Sequence, residues 1–107
     1  MNRTEMLERL ERGEDPLELS IQKWEDIVNG VGEDEGRYNC ALCYVYYDKD
    51  CKGCPVKERT GHDSCDGTPY RAWGRCRREH LMEKGNPCRE IALQELDFLK
   101  SLRKEKE

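Results

Sequence analysis

Histidine is scarce in this chain of 107 residues, with only His62 and His80 present. A nucleophilic cysteine or serine needs a base and a group that orients it. His62 lies in the turn-like stretch Thr60-Gly61-His62-Asp63-Ser64, where adjacency in sequence does not create triad geometry. The chain also lacks a P-loop, a dinucleotide-binding fingerprint and a recognisable pair of catalytic carboxylates, so the expectation is a protein that is not an enzyme. No stretch approaches the roughly 20 apolar residues of a membrane span, and Met1 to Leu10 is charged without an apolar signal region. The expected location is therefore the cytoplasm, with no membrane partner. Internal repeats and low-complexity tracts are absent too, which leaves one small domain over residues 1–107.

Apolar residues are modest at 36%, against 39% charged. A core of that size is marginal, and cross-links are the usual supplement. Seven cysteines supply the means. Charge is uneven: residues 1–36 carry a net −7, residues 37–89 a net +4 and residues 90–107 a net −1. A basic centre between acidic ends either meets phosphates or is neutralised by the protein's own acidic helix.

The hydrophobic pattern predicts a mainly α fold. Thr4 is placed to cap a short, weakly apolar helix through Met6, Leu7 and Leu10, which Gly13 stops, so residues 1–14 are expected to be mobile. Asp15-Pro16 opens a second helix, with Leu17, Ile21, Trp24, Ile27 and Val28 on one stripe and Asn29-Gly30 at its end. The acidic segment Val31 to Gly36 reads as a solvated turn. Tyr44 to Tyr47 fits either a short strand of a very short hairpin or a helix begun at Cys40. Thr68-Pro69 opens another helix that runs towards Gly85. The last, amphipathic one covers residues 88–107, its core from about Cys88 to Lys104 expected to pack on the second helix.

Cys40-Ala41-Leu42-Cys43 and Cys51-Lys52-Gly53-Cys54 carry the strongest signal. Two thiolates three positions apart on a tight turn can approach one tetrahedral ion, and two such turns complete a four-thiolate site. Gly53 relieves crowding where amides fold toward the sulfurs. Residues 37–67 are accordingly read as a cysteine-rich, metal-binding segment with irregular loops, taking zinc as a structural ion through Cys40, Cys43, Cys51 and Cys54. The short gap between the pairs makes Cys65 an alternative for one of them. Two other chemistries stay open: a disulfide framework without metal, and an iron–sulfur cluster, suggested by Cys54-Pro55 alone. Cys76 and His80, four apart on one helix face, form a weaker candidate pair.

The motifs Leu19-Ser20-Ile21-Gln22-Lys23-Trp24-Glu25, Asn39-Cys40-Ala41-Leu42-Cys43, Cys51-Lys52-Gly53-Cys54-Pro55 and Cys65-Asp66-Gly67-Thr68-Pro69-Tyr70 occur in that order. Over residues 17–73 the chain resembles small cysteine-containing proteins of phages, prophages and archaeal mobile elements. That resemblance implies a viral or mobile-element origin, a host-cell cytoplasm as location, and a shared five-cysteine core of Cys40, Cys43, Cys51, Cys54 and Cys65. Cys76 and Cys88 fall outside it.

Three functions compete. The first is an interaction module, stiffened by zinc, that presents Trp24, Tyr46, Tyr47 or the basic centre to another protein. The second is a nucleic-acid binder that uses Arg71, Arg75 and Arg78 for phosphates and Trp73 for stacking. The third is a thiol or redox protein, which requires a thiol pKa well below about 8.5. Helical spacing places both Trp24 and Trp73 in the core, and the broad apolar face of the last helix leaves a dimer open.

Overall fold

The computed structural model describes residues 1–46, 51–61, 68–80, 82–83 and 85–103. Among the described residues there are six α-helices, one 3-10 turn and no strand. They are α1 (Arg3–Glu11), α2 (Pro16–Val28), the 3-10 turn (Gly36–Asn39), α3 (Ala41–Tyr46), α4 (Pro55–Thr60), α5 (Tyr70–Glu79) and α6 (Arg89–Ser101). The mainly helical expectation is met. Tyr44 to Tyr46 belong to a helix, and Tyr47 lies outside the described residues.

Helix α2 is the axis of the fold. The Asp15 carboxylate accepts the Leu17 N–H at 3.1 Å, Pro16 sits in the first turn, and Asn29 ends the helix, all as the sequence predicts. Its stripe of Leu17, Ile21, Trp24, Ile27 and Val28 is buried against Ala92, Leu96, Leu99 and Leu102 of α6 and its following turn. Two side chains clasp the end of α2: Asn86 donates to the Ile27 carbonyl at 3.2 Å and Arg89 to the Val28 carbonyl at 3.0 Å. Both are carbonyls of the last turn, of which that of Ile27 also accepts the Gly30 N–H at 3.0 Å. Helix α1 is capped by Asn2, not Thr4, because the Asn2 Oδ1 accepts the Glu5 N–H at 2.8 Å. Its Met6 is fully buried in a small second cluster with Leu19 and Ala41.

The segment after α2 departs most from its expected role as a solvated turn. Val31 and Gly32 both donate to the Asp26 carbonyl, at 2.9 and 3.1 Å, which folds the chain back against α2. At Gly32 a Cβ would stand 2.6 Å from the Asp26 Cβ and 3.2 Å from α2 backbone atoms. Gly32→Ala is therefore expected to cost about 1–2 kcal/mol in urea unfolding, because the neighbour is a helix and cannot yield cheaply. A neutral effect would mean that the loop has an alternative path. Asn39, 2% exposed, ties the segment from inside: its Nδ2 donates to the Met1 and Glu33 carbonyls and its Oδ1 accepts the Glu35 N–H.

Helix α5 begins at Tyr70, with the Thr68 hydroxyl accepting the Tyr70 N–H at 3.2 Å, and ends at Glu79, well before Gly85. Trp73 is 1% exposed and meets Trp24 edge to face, with ring centroids 5.3 Å apart. Tyr70 meets Trp24 the same way at 5.9 Å. Both tryptophans are core residues, and this aromatic trio fastens α5 to α2.

Cys76 and Cys88 form a disulfide across 12 residues, joining α5 to the residue that precedes α6. Neither is available as a metal ligand. The remaining member of the Cys76–His80 pair bonds instead to Glu83 through its Nδ1. Closing a loop of that length removes disorder from the unfolded chain worth about 2–3 kcal/mol. Cys76→Ala/Cys88→Ala is expected to lower stability by that amount in non-reducing thermal unfolding while leaving α2 and α6 packed. An unchanged midpoint would show that the bond contributes nothing.

Candidate functional site

Cys51 and Cys54 belong to the core that α2 builds, and Cys40 packs against it. Cys40 precedes α3 and Cys43 lies within it; both are partly exposed. Cys51 and Cys54 are buried, at 8% and 7% exposure, with Cys54 preceding Pro55 at the start of α4. All four are thiols. The first unit has a donor turned onto sulfur, the Cys43 N–H to Cys40 Sγ at 3.3 Å. In the second, the backbone N–H groups of Val56 and Lys57 oppose the upward shift of the Cys54 thiol, although its side chain makes no capping hydrogen bond to α4. Such donors favour the thiolate.

The turn of the second unit is unusual. Cys51 has φ +60° and Gly53 φ +87°, while the Cys54 N–H reaches the Cys51 carbonyl at 3.0 Å. Gly53 suits this left-handed backbone and lies against Tyr46, which a Cβ would meet at 3.5 Å. Cys51 takes the same conformation with a side chain, a strained choice for an L-residue that the surroundings must hold in place. Its N–H is bound to the Tyr46 carbonyl at 2.9 Å.

The cysteine cluster is thus present near residues 40–54. Among the described residues, however, no group of three or more histidine, cysteine, aspartate or glutamate side chains stands at distances that could hold a metal ion. Cys65 lies outside the described residues, as do His62, Asp63 and Ser64. Cys40 is pushed well above the ordinary thiol range, first by its hydrogen bond with Cys43 and then by burial. Burial raises Cys54 as well. A nucleophilic thiol needs the opposite shift, so neither residue has the character of a reactive cysteine.

Beside the cysteines lies a polar centre that the motifs do not announce. Asp34 is the acceptor for four groups: Lys23 Nζ at 2.8 Å and the Gly36 N–H at 2.9 Å on one oxygen, the Tyr70 hydroxyl at 2.9 Å and Trp73 Nε1 at 3.3 Å on the other. Lys23 itself is 4% exposed. Burial works against the Asp34 charge, but the Lys23 ammonium and these hydrogen bonds outweigh it and hold the carboxyl below its usual range. Glu95 of α6 is 2% exposed, and burial pushes its carboxyl up to about 7 against the opposing pull of Lys23. Thr68 hydrogen-bonds this carboxyl, while Glu95 Oε1 and Ser20 Oγ have no hydrogen-bond partner among the described residues.

A signal for these residues does exist in the sequence. Ser20 and Lys23 share the helix face of Trp24 and Ile27, and Glu95 falls on the stripe of Ala92, Leu96, Leu99 and Leu102. Polar residues at core positions of a helical stripe are where a buried polar centre should be sought.

The basic surface is built by α5. Arg71, Arg75 and Arg78 are exposed on its outward side, and Arg77 lies over the Trp73 ring with its guanidinium 5.3 Å from the centroid. Among the described residues no ion pair involves Arg75 or Arg78, so the acidic N-terminal third does not neutralise them. Trp73 faces the core and offers no open ring for a base. Trp24, at 4% exposure, is likewise enclosed. Among the described residues the exposed aromatics are Tyr38 and Tyr44, at 69% and 52%, with the Arg3 guanidinium over both rings at 5.7 and 5.8 Å. No helix of the described residues is long and apolar enough to cross a membrane.

Comparison of the chain with protein-family models, with curated proteins and with solved structures finds no match.

Proposed function

We propose that this chain is a non-enzymatic protein-interaction module in which Cys40, Cys43, Cys51 and Cys54 take a zinc ion as a structural cross-link. The observation that carries the reading is that two C-x2-C units pack against one core, Cys51 and Cys54 within it and Cys40 against it, with the Cys43 N–H directed at the Cys40 sulfur. The ion would have to draw the two turns together, as is usual where metal binding and folding are coupled. Cys40 and Cys54 are held above the ordinary thiol range, and a divalent cation reverses that preference. The surface offered to a partner is the Tyr38, Tyr44 and Arg3 platform, since Trp24 is enclosed. A viral or mobile-element origin, as the resemblance of the motifs implies, is part of this proposal.

Native mass spectrometry with elemental analysis and thiol counting tests it. One zinc per chain, with unfolding on chelation, is the expected result. A metal-free chain with these four thiols intact overturns the zinc reading, and their loss in pairs replaces it with a disulfide framework.

A second reading is favoured by the outward face of α5, where Arg75 and Arg78 make no ion pair among the described residues. Arg71, Arg75 and Arg78 are spaced to meet a phosphate backbone without help from Trp73. Binding to a duplex or single strand is then expected to weaken steeply with salt, with a log–log slope of about −3 for three to four phosphate contacts. A flat salt dependence excludes this reading.

A further inference from the structure

Helix α5 is anchored unevenly along its length. Tyr70 and Trp73 fix its first turn against Trp24 and Asp34. From Arg75 to Glu79 every residue is exposed except Cys76, which is partly buried and bonded to Cys88. That bond is therefore the inward anchor of the second half of the helix. Its two residues differ in access, since Cys76 is partly exposed and Cys88 is 1% exposed. A thiolate arriving from solvent meets the bond at Cys76.

The surroundings of that entry point carry one sign of charge. The stretch from Tyr70 to Arg89 holds six Lys or Arg against two Glu, a net +4. Arg75 and Arg77 adjoin Cys76 in the helix, and neither makes an ion pair among the described residues. Of the two carboxylates, that of Glu83 is taken up by His80. Such a field raises the local concentration of small anions and lowers that of small cations. The sulfur that must leave belongs to Cys88, directly before α6, where the partial positive charge of the helix end favours a thiolate. Cys40, Cys43, Cys51 and Cys54 are already thiols, which a reduced thiol does not attack.

We propose that the Cys76–Cys88 disulfide is a thiol-exchange site that selects anionic low-molecular-weight thiols, which enter at Cys76 and release the second half of α5. The thiolate attacks Cys76 Sγ and forms a new S–S bond there. The bond to Cys88 breaks, and its electron pair leaves on Cys88 Sγ, which takes a proton from water. A second small thiol removes the first from Cys76, so that two protein thiols and one small disulfide result and two electrons pass from the small thiols to the protein. The inference rests neither on metal binding nor on the interaction reading.

The test is the rate at which the folded chain exchanges with mercaptoethanesulfonate, mercaptoethanol and cysteamine, which are anionic, neutral and cationic. Rates are taken per thiolate, and each is divided by the rate of the same thiol on a neutral dialkyl disulfide. At low salt the sulfonate is expected to react about tenfold faster than cysteamine. The two should converge at about 0.5 M salt, where charges are screened within a few ångströms. Arg75→Gln/Arg77→Gln should cut the preference to about threefold or less. Alkylation of the quenched mixture and peptide mass analysis should place the adduct on Cys76 and a free thiol on Cys88. Amide hydrogen exchange of the adduct should quicken at residues 75–79 and stay unchanged in α2. Equal rates for the three thiols, an adduct on Cys88, undiminished preference in the arginine variant, exchange only in unfolding concentrations of urea, or unchanged protection at residues 75–79 each overturn the proposal.

Discussion

Replacing Asp34 by alanine is expected to cost about 3–5 kcal/mol, because it strands the buried Lys23 ammonium and removes the acceptor of two aromatic donors at once. Against a total of about 5–15 kcal/mol for an ordinary domain, that loss should bring the protein close to unfolding at room temperature. Lys23 contributes the largest share, since a charge held at 4% exposure without a counter-ion is costly in a way that a surface pair is not. The test is urea unfolding of Asp34→Ala alone and combined with Lys23→Met. The second change removes the stranded charge, so the double variant should be more stable than Asp34→Ala alone. A single-variant loss below about 1 kcal/mol, or no recovery in the double variant, would show that Lys23 keeps access to water.

Stability should also fall as pH rises from about 4.5 to 7, and Glu95 is the reason. Its folded carboxyl titrates at about 7 and its unfolded one near the ordinary 4.5, so the folded state holds a proton that the unfolded state has already lost. The contribution is complete below the unfolded value and is lost as pH climbs through the folded one. With about 1.4 kcal/mol for each unit, the difference is on the order of 3 kcal/mol. Asp34 acts in the opposite direction: its lowered carboxyl gives stability that disappears only as pH falls below the usual carboxylate range. Unfolding midpoints across this window, for the natural chain and for Glu95→Gln, provide the measurement. Glu95→Gln should flatten the profile. If its profile retains the same slope, the dependence belongs to other groups.

Both expectations rest on residues that the motifs do not single out. Helix α2 is legible down to its cap because Asp15-Pro16 and Asn29 act locally, through hydrogen bonds to residues within one turn. The same holds for the core positions of Trp24 and Trp73 and for the α2–α6 contact, which follow from periodicity. Helix α4 is less legible, since six residues between a cysteine turn and Gly61 carry too little pattern to separate helix from knuckle. The N-cap of α1 is Asn2, two residues before the Thr4 that the sequence suggests, because both residue types cap helices and local pattern does not choose between them. The Cys76–Cys88 bond is not legible in the sequence, because pairing depends on how α5 and α6 are oriented, and sequence spacing alone does not report that orientation.

The sequence by itself determined the helical class, the apolar stripes and the two C-x2-C turns, all of which depend on neighbours within a few residues. Tertiary structure alone decided that Asp34 leaves the acidic segment to serve Lys23, Tyr70 and Trp73, and that the buried Glu95 lies within reach of the Lys23 charge. Those outcomes depend on burial and on partners 11 to 39 residues away for Asp34, and electrostatic interactions acquire such strength only once packing has removed the water between them.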